Sequence, residues 1–156
     1  YLGHPVYGLS IVLFSLILST GAGSLFSEKC PLETTFQQTI WALAIFGYAL
    51  ALAFGLDDVF SAFAEVALLN RAIISVIILF PLGMLLGYAF PTGIRLTGQR
   101  YSQSTAWFWG INGAAGVLGS ALAIAFNIGL GIDKTLLIAG FAYLLLVLPL
   151  TRLSRI

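Results

Sequence analysis

Hydrophobic residues in this chain run in five long blocks, and short gaps between the blocks hold nearly every charge. The blocks cover residues 5–26, 36–55, 72–90, 106–131 and 135–150. Each approaches or exceeds the roughly 20 helical residues that cross the hydrocarbon core of a bilayer. Inside hydrocarbon every backbone N–H and C=O needs a partner within the fold, so uninterrupted apolar blocks of this length predict helices. The expected fold class is all-α: one polytopic transmembrane helix bundle of about five spans, residues 1–156 forming a single domain.

The gaps then become 27–35, 56–71, 91–105 and 132–134. The last is so short that the fourth and fifth spans must be antiparallel neighbours. Lys29, Arg95, Arg100, Arg152 and Arg155 fall at the ends that alternation puts on one side, against Arg71 and Lys134 on the other. Basic excess marks the cytoplasmic side, so the expected orientation is N-terminus outside and C-terminus cytoplasmic, in the cell inner membrane. In the gap 57–70, Asp57, Asp58 and Glu65 alternate with Val59, Phe60, Phe63, Val66 and Ala67. That pattern suits either a helix lying along the outer interface or a simple polar connection.

Composition agrees with the pattern. Of 156 residues 60% are hydrophobic and 8% charged, too few polar groups to coat a water-soluble globule. Seven basic and six acidic groups leave a net charge of +1, with no basic face to bind nucleic acid through counterion release. One cysteine, Cys30, and one histidine, His4, do not supply the four ligands of a structural zinc site. Cys30 reads as an ordinary reduced loop thiol. No catalytic set, cofactor site or metal site is indicated. Tyr1 opens the chain in place of Met, and the end follows directly on a helix, so further polypeptide is expected at one or both ends.

Small residues recur every fourth position at Ser15, Ser19 and Gly23; Gly47, Ala51 and Gly55; Gly83 and Gly87; and Ala115, Gly119 and Ala123. In lipid such rows let helix backbones approach closely, which predicts packing, not chemistry. Gly21-Ala22-Gly23 lacks the strand, helix and downstream acid of a dinucleotide loop.

Candidate chemistry concentrates in two places. The fourth span opens on Trp107-Phe108-Trp109 and then becomes almost entirely small, with Asn112, Ser120 and Asn127 inside it. An amide facing hydrocarbon without a partner costs several kcal/mol, so both asparagines should meet protein or water. Either they contact a substrate or bound lipid, or they form interhelical hydrogen bonds. At the end of the third span, Pro91, Thr92 and Arg95 combine a helix breaker, a hydroxyl and a cation; Arg95 reaches a ligand or a lipid phosphate. Pro81 should kink the same span. His4, at the outer edge of the first span, suits pH sensing in principle, but a lone interfacial histidine is usually neither sensor nor relay. No carboxylate lies at a span centre, which weighs against a self-contained ion-coupled transporter.

Four segments carry a resemblance: Leu2-Gly3-His4-Pro5-Val6-Tyr7; residues 10–25, SIVLFSLILSTGAGSL; residues 81–96, PLGMLLGYAFPTGIRL; and residues 106–123, AWFWGINGAAGVLGSALA. Together they resemble the membrane region of the spermidine synthase-like membrane proteins, which join membrane helices to a domain related to polyamine aminopropyltransferases. The resemblance implies a membrane domain that anchors or handles a small molecule. The soluble Rossmann-type domain, with its glycine-rich loop and acidic residues, has no counterpart here, so none of its catalytic residues carries over. Three functions follow as expectations: a non-catalytic membrane domain of such a protein; an accessory subunit of a larger respiratory or photosynthetic membrane complex; or a bundle transporting a small organic cation past Asn112, Asn127 and Ser120. Partners would be the bilayer and other membrane subunits, or a further part of its own chain.

Overall fold

The computed structural model describes residues 1–98 and 105–153. Seven helices occupy them: α1 (Pro5–Lys29), α2 (Thr35–Ala62), α3 (Leu68–Gly87), α4 (Ala89–Gly98), α5 (Thr105–Leu130), α6 (Ile132–Leu145) and α7 (Val147–Leu153). Taken as rods, α3 with α4 and α6 with α7 each make one span, and the five rods are all long and apolar enough to cross a membrane. The chain is an all-α, multi-pass membrane protein.

Both interrupted rods break for the same reason. Proline has no N–H, and its ring crowds the carbonyl four residues earlier. Pro91 therefore acts on Gly87, the last residue of α3, and Pro149 on Leu145, the last residue of α6. Helical bonding resumes within one residue, with Thr92 N–H donating to the Tyr88 carbonyl at 3.1 Å and Leu150 N–H to the Leu146 carbonyl at 3.2 Å. The expectation that the third span ends at Phe90 is corrected accordingly: Pro91 interrupts the rod one turn earlier, and helix continues to Gly98.

Two further boundaries move. Helix α2 runs through Asp57 and Asp58 to Ala62, and after a short turn α3 begins at Leu68, so no separate interfacial helix forms over 57–70. A helix already propagating satisfies one more backbone pair with each residue it adds, and charges at its end reach the interface. Between α5 and α6 the connection is Gly131 alone, at φ +89°, a conformation that side chains resist. Helix α2 starts on a capping box, in which Thr34 accepts from Gln37 N–H and Gln37 Oε1 accepts from Thr34 N–H at 3.0 Å.

Helix α1 runs parallel to α3: Ser19 lies beside Gly83, Gly23 beside Met84, and Thr20 and Ser24 beside Gly87. Helix α2 runs antiparallel to α3, with Trp41 reaching Leu85 and Tyr48 reaching Ile78. It is also antiparallel to α6, Trp41 stacking edge-on against Tyr143 while Gly140 abuts Phe46 and Ala49. Helices α1 and α2 make no close backbone approach to each other. Trp41, Ala42, Ile45 and Leu150 form the buried apolar core.

Of the four small-residue rows, two meet. Ser15, Ser19, Gly23 and Ser27 are the buried residues of α1, and a Cβ added at Gly83 or Gly87 would collide with α1. Each buried serine returns its hydroxyl to a carbonyl of its own helix, as Ser15 does to Ile11 at 2.6 Å and Ser27 to Ser24 at 2.7 Å. The row thus presents little bulk and no unmet donor. Gly47 and Gly55, and the α5 row at Gly119, face open space.

Candidate functional site: the open face of α5

Helix α5 differs from every other long helix in having no buried residue. Trp107 is 74% exposed, Val117 72% and Ile128 84%. Its support comes from α6 behind Gly131 and from α4, where Phe90 meets Trp109 edge-on with centroids 4.6 Å apart. A membrane helix needs no water-excluding core to persist, but its polar groups still need partners.

The structure separates the residues singled out from sequence. Asn112 lines a groove of about 520 Å³ between α4, α5 and the α6–α7 junction, opposite Gly93, Thr97 and Tyr143. Ser120 lies further along α5 and satisfies itself on the Gly116 carbonyl at 2.8 Å. Asn127 sits near the far end and does not line that groove; its carbonyl receives Gly131 N–H at 3.1 Å. Both asparagines are exposed, and among the described residues neither side-chain amide makes a hydrogen bond. Asn112, Ser120 and Asn127 are therefore not gathered around one cavity.

Pro91, Thr92 and Arg95 belong to a different arrangement. Thr92 is buried with its hydroxyl unpartnered. Arg95 Nη2 donates to the Ser27 carbonyl at 2.8 Å, tying α4 to the last turn of α1, where carbonyls lack helical partners. His4 caps α1, its Nδ1 accepting Val6 N–H at 3.3 Å. Among the described residues no three His, Cys, Asp or Glu side chains gather as metal ligands do.

Two functional side chains were not singled out from the sequence. Trp41 Nε1 donates to the Leu85 carbonyl at 2.8 Å, and the Tyr48 hydroxyl to the Ile78 carbonyl at 2.6 Å. Both bonds tie α2 to carbonyls of α3, Leu85 two residues before the interruption at Gly87 and Ile78 next to the Ile77 carbonyl that Pro81, inside the unbroken helix, leaves without its N–H. A polar-tipped aromatic seven residues from another on the neighbouring span was the available signal.

No family model matches this chain, and no similar curated protein or solved structure is found. The class the fold defines is a multi-pass, all-α membrane protein.

Proposed function

We propose that the chain is a non-catalytic membrane domain of a spermidine synthase-like protein, and that α5 is its packing face for another membrane helix. The partner helix belongs to another subunit or to a further part of the same polypeptide. One observation carries this reading: α5 holds two unbonded amides and the exposed small residues Gly110, Gly113, Ala114, Ala115, Gly116 and Gly119, yet buries nothing within the chain. Small residues admit a backbone closely and asparagines bond across helices, so a partner helix relieves both features together. The segments resembling the family support the assignment, since residues 10–25 and 81–96 form the close α1–α3 contact and residues 106–123 form the open face. The orientation proposed is N-terminus outside and C-terminus cytoplasmic, with the inner membrane as location.

The test is purification from native membrane in mild detergent, followed by native mass spectrometry. A second polypeptide or a longer form of this chain should accompany the wild type, and the double variant Asn112→Leu, Asn127→Leu should release it. A wild-type chain that runs alone, with spin labels on the α5 face away from α4 and α6 reporting lipid, would overturn the proposal.

The groove at Asn112 favours a second reading, in which the bundle passes an organic cation. Uptake of labelled spermidine into liposomes, abolished by Asn112→Leu, is the result that reading requires.

A further inference from the structure

We infer that the bundle holds one phospholipid in a slot between α1 and α2, its acyl chain inside and its phosphate on Arg71. This goes beyond the proposed function and uses a different face of the molecule. Because the backbones of α1 and α2 do not approach closely, their inner faces, that of α3, and Ile132 and Leu136 of α6 bound a cavity of about 930 Å³, at the upper end of the range of small-molecule sites. Val12 and Leu16 of α1, Leu52 and Leu56 of α2, and Leu79 and Leu82 of α3 line its shaft.

The shaft has the length of a lipid chain. Along α3 the lining runs from Ser75 to Leu86, about 16 Å at the rise of an α-helix. Half of a bilayer's hydrocarbon core is about 15 Å. The slot therefore has the depth of one leaflet and reaches the end of the bundle where α1 and α3 begin.

That end is polar and incompletely satisfied. Tyr1 and His4 line the cavity there, and Tyr1 stacks on Phe60 with ring centroids 4.5 Å apart. Arg71, one turn before Ser75, donates from Nη1 to the Tyr1 carbonyl at 2.7 Å and lies over the Tyr1 ring at 5.9 Å. Arg71 Nε and the Tyr1 hydroxyl are both buried and have no hydrogen-bond partner. Two unmet donors, one cationic, stand at the polar end of an apolar shaft, Tyr1 in its lining and Arg71 directly behind Tyr1, and match an anionic oxygen acceptor carried by an apolar tail. Arginine's planar fork suits phosphate in particular. Asp57, Asp58 and Glu65 stand at the same end of the bundle, exposed on α2 and the turn after it, and disfavour a headgroup of high negative charge. A single phosphate diester fits both facts.

The experiment is native mass spectrometry of the full chain, delipidated in detergent and incubated with dioleoylphosphatidylglycerol. Wild type should retain one lipid per chain. Arg71→Gln should weaken retention at least tenfold, and Leu79→Trp, which fills the shaft, should abolish it. Leu52→Phe gives the same reading with a smaller perturbation should the tryptophan variant misfold. Absence of retained lipid in wild type, retention unchanged in Arg71→Gln, or equal capture of dioleoylglycerol, which lacks the phosphate, would each overturn the inference.

Discussion

Ser19 and Gly83 show how much of this fold depends on the absence of atoms. Their backbones meet so closely that a Cβ on Gly83 would overlap the serine hydroxyl, and Ser19 adds only a group already bonded to the Ser15 carbonyl at 2.6 Å. Between lipid-embedded helices dispersion over such a surface replaces the hydrophobic effect. Gly83→Val should therefore destabilise the protein by about 1–3 kcal/mol through overpacking, while Gly47→Ala, which meets nothing, should change it little. Thermal unfolding in detergent, followed by helical circular dichroism, separates the two. Trp41→Phe keeps the ring and removes the donor to Leu85. It should cost about 1 kcal/mol in the same assay, with no loss of helix content. The small-residue rows were legible from spacing alone, though only the α1 and α3 rows pack. Which rows meet was not, because spacing describes one helix and a contact needs two.

At the scale of the element, span number and helical class followed from apolar run length, whereas boundaries did not. Hydropathy falls at the first charge, but a helix stops only when its backbone finds other partners or a proline intervenes. Hence α2 carries Asp57 and Asp58 within its last turns, and Pro91 displaces the break to Gly87, four residues before itself. Pro149 repeats the rule at Leu145, so the second break was readable once the offset is counted. If the missing N–H of Pro91 causes the bend, Pro91→Ala should straighten α3 and α4 into one rod. Nitroxides at Leu69 and Gly98 in a Cys30→Ser background would then move apart toward about 44 Å, the length of 29 helical steps, as read by double electron–electron resonance. An unchanged distance would mean that packing of α4 on α1, through Arg95 and Ser27, holds the bend instead.

For the whole molecule the sequence carried the charge asymmetry but not the neighbour order, in which α3 lies between α1 and α2 and α5 stands at the margin. Marginal placement of the most distinctive segment is why the candidate residues on α5 do not converge. The asymmetry survives in three dimensions. Arg95 meets Ser27 at the end that also bears Lys29, while Arg71 meets Tyr1 at the other. Arg152 falls on the Lys29 side and Lys134 on the Arg71 side, as the parallel and antiparallel pairings require. Three described cations thus face two, Arg100 and Arg155 lying outside the described residues, and positive residues near span ends stay in the cytoplasm. Cys30 tests the outcome directly, being the sole cysteine, exposed, and in the turn at the Lys29 end. A membrane-impermeant maleimide should leave it unlabelled in intact cells and label it in inverted vesicles. Lys134→Cys in a Cys30→Ser background should give the opposite pattern. Labelling of Cys30 from outside would reverse the proposed orientation, and would also place the Arg71 end of the proposed lipid slot in the cytoplasmic leaflet.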